Sequence, residues 1–500
     1  MKAKVKTYAI ETGKPIVVVN EEDMKDLGIH LSDRVKLSYQ GHVVTCIVDA
    51  TTSLVKVGEV GLFEDVKNLL KVEEGYLVDI HVAQQPKSID YIRKKISGME
   101  LSKEEIVAIV HDVVENNLSD IELAGFITAA YIHGYTMDET VALTNAMVET
   151  GSKIDFGENV VDKHCIGGVA GNRTTLLITP IMAAFGLTMP KTSSRAITSP
   201  AGTADTMEVF SPVEFKIPEI KEIVKKVGAC IIWGGAVNLA PADDKIIRVE
   251  YPLSLDPEGQ VLASVMAKKK SVGSDYVIID IPLGKGAKIQ QREKAESLAH
   301  KFIELGKRLN IAVECVITDG SSPIGRGIGP ALEARDVLLA LNNKGPQDLI
   351  NKSLDLAGKL LELSCGLSDG KGREIAEDLL TSGKALEKFR EIIQAQGGEP
   401  DLEPEDIPVG DHTYVVHSKI QGNVRHIDNK RISRVARAAG APKDKGSGVF
   451  LHIGVGELVE KDQPLYTIYA EHKEKLDDAV KLAQHLVPVE VGGLILEEIS

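Results

Sequence analysis

The chain has 500 residues, 43% of them hydrophobic and 26% charged, an ordinary composition for globular domains. Its length sets an expectation of about three domains, and its content of apolar residues is enough for sizeable cores. A net charge of −15 excludes a broad nucleic-acid surface, which needs an electropositive footprint, but leaves room for a local basic pocket around a small anion.

Residues 1–85 read as a β-rich module. Val17-Val18-Val19, Val35-Lys36-Leu37 and Val43 to Val48 are short β-branched runs separated by polar turns, with one short helix predicted over Glu21 to Leu27. Gln84 to Ser88 reads as a linker. From there to about Gly151 the pattern is helical. Ser102 with Glu105 forms a capping box ahead of the stripe Ile106, Val107, Val110, Val113 and Val114. Ser119 with Glu122 repeats the signature, and Asp138 is the predicted start of a third helix.

From about Glu158 the pattern alternates. A helix is predicted over Leu176 to Phe185, and another over Ile289 to Leu309. Ala229 to Trp233 and Tyr276 to Ile279 are continuous apolar runs, as buried parallel strands tend to be, and Ile311 to Ile317 is broken only by Glu314. That is an α/β pattern with a mainly parallel sheet. Gly397 to Glu405 is rich in Pro and acid and reads as a linker. Beyond it, strands are predicted at Tyr414 to Val416, Val449 to Leu451 and Pro464 to Tyr469, with a helix over Glu474 to Leu486.

Met1 to Lys6 lacks the apolar core of a secretory signal, and no window reaches the roughly 18 uncharged apolar residues of a membrane span. Cys46, Cys165, Cys230, Cys315 and Cys365 are odd in number and form no CxxC pair. A disulfide framework or zinc site is therefore not expected, and a reducing cytoplasm fits best.

Two segments carry the chemistry. The first is Asp162-Lys163-His164-Cys165-Ile166-Gly167-Gly168-Val169-Ala170-Gly171-Asn172-Arg173-Thr174-Thr175, and the second is Ser193-Ser194-Arg195-Ala196-Ile197-Thr198-Ser199-Pro200-Ala201-Gly202-Thr203-Ala204-Asp205. Glycine lets a backbone approach a ligand closely, so that its N–H groups donate directly. Lys163, Arg173 and Arg195 add charge, and Thr174, Ser193, Ser194, Thr198, Ser199 and Thr203 add donors. Two such loops on one chain read as an anion site, phosphate first. The plainer alternatives are a strand-to-helix turn and an N-cap at Thr174 or Thr175. Cys165 has no evident base partner and reads as pocket lining. A third cluster comprises Arg248, Asp256, Ser264 and Lys268. Asp256-Pro257-Glu258-Gly259 is also a turn signature, while Ser264 and Lys268 share a face if their segment is helical. Gly284 to Lys288 is a weaker loop of the same kind.

Lys163-His164-x-x-Gly167-Gly168, Ser193-x-Arg195-Ala196-Ile197 and Gly202-Thr203-x-Asp205-x-x-Glu208 resemble the signatures of the thymidine and pyrimidine-nucleoside phosphorylases, in order and in spacing, from about residue 88 to the C-terminus. The variant most similar to this chain acts on AMP and carries an additional N-terminal domain. The resemblance implies the class II nucleoside phosphorylase fold: a helical domain (88–155 with part of 240–272), an α/β domain (158–400) and a small C-terminal β-rich domain (406–500). Residues 1–85 form the extra β-rich domain. It implies a homodimer formed through the helical domain, or a larger homo-oligomer.

By the same resemblance Lys163, Thr174, Ser193 and Thr203 hold inorganic phosphate. Gly168, Ser194, Arg195, Ala196, Ile197, Thr198, Ser199, Thr203, Ser264 and Lys288 hold the nucleotide, Arg248, Ser264 and Lys268 face the base, and Asp256 donates a proton. The implied reaction is AMP plus phosphate giving adenine and ribose 1,5-bisphosphate, with CMP and UMP as further substrates, phosphate as co-substrate, and neither metal nor cofactor. Cys165-Ile166 stands where the pyrimidine enzymes have Ser-Thr, Ser194 replaces a glycine, and Thr198 to Ala201 replaces a Gly-rich stretch. The added hydroxyls suit a second phosphate, the 5′-phosphate of a nucleotide. A thymidine or uridine phosphorylase, a phosphoribosyltransferase of the anthranilate type and a nucleotide-binding sensor remain as alternatives. The C-terminal run Gly448 to Tyr469 is similar to a biotinyl-like hammerhead but lacks the Met-Lys-Met centre of a carrier.

Overall fold

The computed structural model describes residues 1–196 and 199–492. The chain divides into two compact units, Met1–Gly151 with Ala240–Ser264, and Ser152–Leu239 with Val265–Ser500.

The first unit begins with β1 (Lys2–Tyr8), β2 (Ile16–Asn20), α1 (Glu21–Leu27), β3 (Arg34–Tyr39), β4 (His42–Thr51), β5 (Glu59–Phe63), α2 (Glu64–Leu70) and β6 (Leu77–Val82). Alternate apolar residues of these strands turn inward, among them Val17, Val19, Val35, Leu37, Val60 and Leu62. The strands close into a barrel in the order β1-β5-β2-β4-β3-β6, with β1–β5 and β2–β4 parallel. Closure leaves no unpaired edge. Four helices follow: α3 (Ser88–Ile96), α4 (Lys103–Val114), α5 (Asp120–His133) and α6 (Met137–Glu149). The capping boxes at Ser102 and Ser119 are formed, and Thr136 with Glu139 makes a third, so α6 starts one residue ahead of Asp138. Arg34 fastens barrel to bundle. Its Nε donates to the Asn117 carbonyl at 2.6 Å, and its guanidinium pairs with Glu122.

The second unit opens with β7 (Val161–Cys165), α7 (Thr174–Phe185), β8 (Met189–Ser193), α8 (Thr203–Met207), α9 (Ile217–Val227) and β9 (Ala229–Trp233). The chain then gives α10 (Pro241–Leu253), which packs on α4 and α5 in the first unit. After α11 (Glu258–Ser271) come β10 (Tyr276–Leu283), α12 (Arg292–Leu309) and β11 (Ala312–Asp319). β11, β10 and β7 pair in parallel, as do β8 and β9, and a parallel bridge from Val160 to Thr188 joins the two groups. Glu314 is tolerated because β11 is the half-buried edge. Ile289 lies ahead of α12 rather than within it, because it bridges to Leu283.

Four further helices were not legible as separate elements: α13 (Pro330–Leu341), α14 (Gln347–Cys365), α15 (Lys371–Thr381) and α16 (Lys384–Ala395). α13 is buried on nearly every face, whereas α14 to α16 are apolar on one side and cover α7. The C-terminal part has two small sheets. One joins β12 (Gly327–Ile328), β15 (Gly448–Leu451), β17 (Pro464–Ala470) and β13 (His412–His417). The other joins β16 (Leu458–Val459), β14 (Gly422–Ile427) and β18 (Val489–Gly492). α17 (Asn429–Ala438) and α18 (Lys473–Leu486) complete their shared core. No helix among the described residues is long and apolar enough to cross a membrane.

Candidate active site

The carboxyl ends of parallel strands are where α/β sheets expose groups to ligands. Here β7 ends on Lys163, His164 and Cys165, and the glycine loop leads into α7. Lys163 is buried, and its Nζ donates to Thr174 Oγ1 at 2.8 Å. Thr174 is the first residue of α7, and its hydroxyl donates in turn to Asn172 Oδ1 at 3.2 Å. The structure thus brings together the lysine and threonine that the motif separates by eleven positions.

Three buried lysines, and a fourth, Lys352, whose Nζ is buried, meet two buried carboxylates around this point. Asp162 lies between Lys191 Nζ (3.1 Å) and Lys269 Nζ (2.6 Å). Asp280 lies 3.2 Å from Lys352 Nζ and 3.7 Å from Lys163 Nζ, and accepts from Thr318 Oγ1 at 2.6 Å. Burial pulls Lys163 below its ordinary value and Lys191 down to about 7, the direction expected of cations that lack enough counter-charge. A bound anion would add counter-charge at this point. Ser193, at the end of β8, points a buried hydroxyl that has no hydrogen-bond partner among the described residues. A buried orphan of this kind is costly unless a ligand satisfies it.

His164 is half-buried. Burial, and then the charges of Lys269, Lys191, Lys268 and Lys163, hold it well below 6.5. The unfolded chain takes up a proton near its ordinary value that the folded chain refuses, so this group's contribution to stability falls as pH drops through that value. We expect wild type to lose up to about 1.4 kcal/mol from it between about pH 7.5 and 5.5. His164→Asn should lose that much less, measured by urea unfolding at the two pH values. Equal losses would show that His164 is not held neutral. The Cys165 thiol is pushed up to about 11, first by burial, and accepts a hydrogen bond from Asn172 Nδ2 at 3.3 Å. Burial thus disfavours the thiolate that a nucleophile needs.

Gly168, with φ +91°, is required by backbone packing. A Cβ there would lie 2.3 Å from the Lys288 backbone nitrogen, so the motif glycine seats the Gly284–Lys288 loop against itself. Lys288 is exposed at the end of that loop. A Cβ on Gly202 would meet the Ser194 carbonyl at 2.5 Å, because the second motif folds tightly back.

Within that second motif Ser194 is exposed and Ala196 N–H donates to Asp205 Oδ2 at 2.7 Å. Ser199 is exposed, with its hydroxyl donating to the Ala201 carbonyl at 2.9 Å. Thr203 opens α8. Ile197 and Thr198 lie outside the described residues. Arg195 is held by Glu208 (2.7 and 2.8 Å), Glu214 (2.8 Å) and Asp205 (3.4 Å), and its guanidinium stacks on Trp233 at 5.0 Å. These carboxylates raise the Arg195 pKa, and the Arg195 hydrogen bond holds Glu208 at about 2. Its guanidinium is thus tied into the loop by carboxylates.

In the first unit, Ser264 on α11 donates to Asp243 Oδ2 at 2.8 Å. Arg248 is an exposed residue of α10 whose guanidinium lies beside Gly13 of the barrel. Asp256 is exposed two residues ahead of α11. Lys268 is half-buried farther along that helix. Among the described residues one carboxylate–histidine group, Asp444, Glu471 and His472, is close enough to bracket an ion. Asp444 is taken by Lys475 at 2.5 Å, and Glu471 by the Gly446 N–H at 2.7 Å.

Asp162 opens the first motif without an assigned role, and Lys191, Lys269, Asp280 and Lys352 were not among the candidate site residues. The signal for one of them was present. Asp280 interrupts the apolar strand β10, and a charge in a buried strand must be paired.

Residues 89–151 match the helical bundle domain of a glycosyl transferase family, residues 157–386 its a/b domain, and residues 423–490 the pyrimidine nucleoside phosphorylase C-terminal domain. Anthranilate phosphoribosyltransferase from Thermus thermophilus shares the fold, with a TM-score of 0.53 at 19% identity over 61% of this chain and 99% of that one. Fold and site therefore define an enzyme of the pentosyl-transferring class. Its sequence is 52% identical to the AMP phosphorylase of Thermococcus kodakarensis over 100% of both chains. Identity is 49% to that of Pyrococcus furiosus over 100% of both, and 49% to that of Methanococcoides burtonii over 100% of this chain and 99% of that one. The chain belongs to the AMP phosphorylase family.

Proposed function

We propose that this enzyme cleaves nucleoside 5′-monophosphates with inorganic phosphate, AMP plus phosphate giving adenine and ribose 1,5-bisphosphate, in nucleotide degradation and salvage. The observation that carries the reading is the excess of buried lysine over buried carboxylate beside the hydroxyls of Thr174 and Ser193. Lys163, Thr174, Ser193 and Thr203 hold the attacking phosphate. A phosphate oxygen forms the new bond to C1′ as the bond to the base breaks, and the bonding electrons leave with the base. Asp256 protonates that base. Most of the acceleration comes from fixing the reactants together and from preorganised charge. The reading includes no metal or organic cofactor, and CMP and UMP are further substrates.

The second motif, with Ser194, Ser199 and Thr203, is assigned to the 5′-phosphate. Several charge-assisted contacts of about 1.5–3 kcal/mol each give AMP an advantage over adenosine of roughly a thousandfold or more. A panel of AMP, adenosine, thymidine and uridine with phosphate, read as released base, tests this. Equal kcat/KM on AMP and adenosine rejects the nucleotide reading, and no phosphate-dependent release from any substrate rejects the enzyme.

We also propose a homodimer or larger homo-oligomer. On α5, Ile121 is 75% exposed, Ile132 67% and Tyr131 57%. Ile121, Gly125, Thr128 and Ile132 recur on one helical face. An apolar face of this kind is suited to a second copy. A cytoplasmic location and small-molecule rather than nucleic-acid partners fit the reduced cysteines and the net charge of −15.

A further inference from the structure

The Ser264 hydroxyl lies 2.8 Å from Asp243 Oδ2 across twenty-one positions of chain, so the pairing is made by folding rather than by local sequence. Asp243 sits in the first turn of α10 and is fully buried. A serine hydroxyl carries one hydrogen and two lone pairs, whereas a carboxylate only accepts. The bond therefore uses Ser264's sole hydrogen, and what its oxygen offers to a further group is an acceptor. A hydrogen bond to a buried carboxylate is charge-assisted, so Asp243 holds that hydrogen more firmly than a neutral acceptor would.

We propose that Asp243 is a specificity-determining positioning residue. By holding the Ser264 hydrogen it makes Ser264 an acceptor toward the base, so that the site requires an N–H on that edge of the base. The proposal rests on the assignment of Ser264 to the base. Adenine and cytosine satisfy it through their exocyclic amines. Unsubstituted purine does not, because its N1 and N7 are acceptors facing an acceptor. A site built around a buried polar partner rejects an analogue that lacks the matching group, since the partner is then left unpaired.

The test compares kcat/KM for AMP and for purine riboside 5′-monophosphate in wild type, Asp243→Ala and Ser264→Ala. The two bases differ in intrinsic leaving ability, but that difference is common to all three proteins and cancels when their ratios are compared. Releasing the Ser264 hydrogen in Asp243→Ala should shrink the AMP preference by about tenfold or more. Ser264→Ala should lower AMP by a similar factor and leave the purine nucleotide unchanged or improved, which decides the matter even if Asp243→Ala does not fold.

A folded Asp243→Ala with an unchanged ratio overturns the proposal. So does a Ser264→Ala that harms both substrates alike, because the hydroxyl then donates as well as accepts. If Ser264→Ala harms neither, the assignment of Ser264 to the base fails and the proposal with it. Wild type without phosphorolysis of AMP overturns the functional reading itself.

Discussion

Asp256→Asn should lower turnover on AMP by about 10²- to 10⁴-fold while leaving nucleotide binding nearly intact, the range general acid catalysis contributes. The side chain keeps its shape and loses only the proton. Asp256 sits ahead of Pro257 at the entrance to α11, where an aspartate can also serve a turn. The two roles separate cleanly. A turn residue, once replaced, costs stability and leaves turnover alone. A proton donor costs turnover and leaves the melting temperature alone. Single-turnover base release together with thermal melts distinguishes them, and a folded Asn variant with near-normal turnover removes Asp256 from the chemistry.

Lys163→Met should lower kcat/KM for phosphate by about 10²- to 10³-fold, since it deletes a preorganised cation from a water-poor site. Its stability should move far less. Burial already disfavours the charged lysine, so replacing it relieves a penalty, and Asp280 keeps Lys352 as a partner. The two consequences oppose each other, and the unfolding free energy is expected to stay within about 1–2 kcal/mol of wild type. Initial rates against phosphate concentration, paired with urea unfolding, give both numbers. Unchanged saturation by phosphate means that Lys163 does not touch it.

How much of this was readable before folding depends on whether the information was local. The capping boxes at Ser102 and Ser119 are three-residue signals and stand as read. Lys163 and Thr174 are both legible, because a glycine loop at the start of a helix is itself a local signature. Their contact was not readable, since it requires β7 and α7 to pack. The pairing of Asp162 with Lys191 and Lys269 joins a strand, its neighbour and a helix more than a hundred residues away. No window of sequence contains it. Arg195 shows the converse. Its cation beside hydroxyls suggested a ligand, yet its partners are Glu208, Glu214 and Trp233, brought in by the fold. Barrel closure by residues 1–82 was also out of reach, because alternation marks strands but does not say whether the last one meets the first.

Arg195 also bears on heat. It shares Glu208 with Lys445, which comes from the C-terminal part of the chain, at 2.5 Å. The loop assigned to the nucleotide is thus tied down mainly by charges that are only partly buried. Ion pairs of this kind gain relative to apolar contacts as temperature rises, because hydration of the separated charges becomes less favourable. They weaken as salt is added, whereas the apolar cores do not. The loop and the domains that carry it therefore answer to different variables: warming tightens the clamp while it loosens the fold around it, and ionic strength acts on the clamp first.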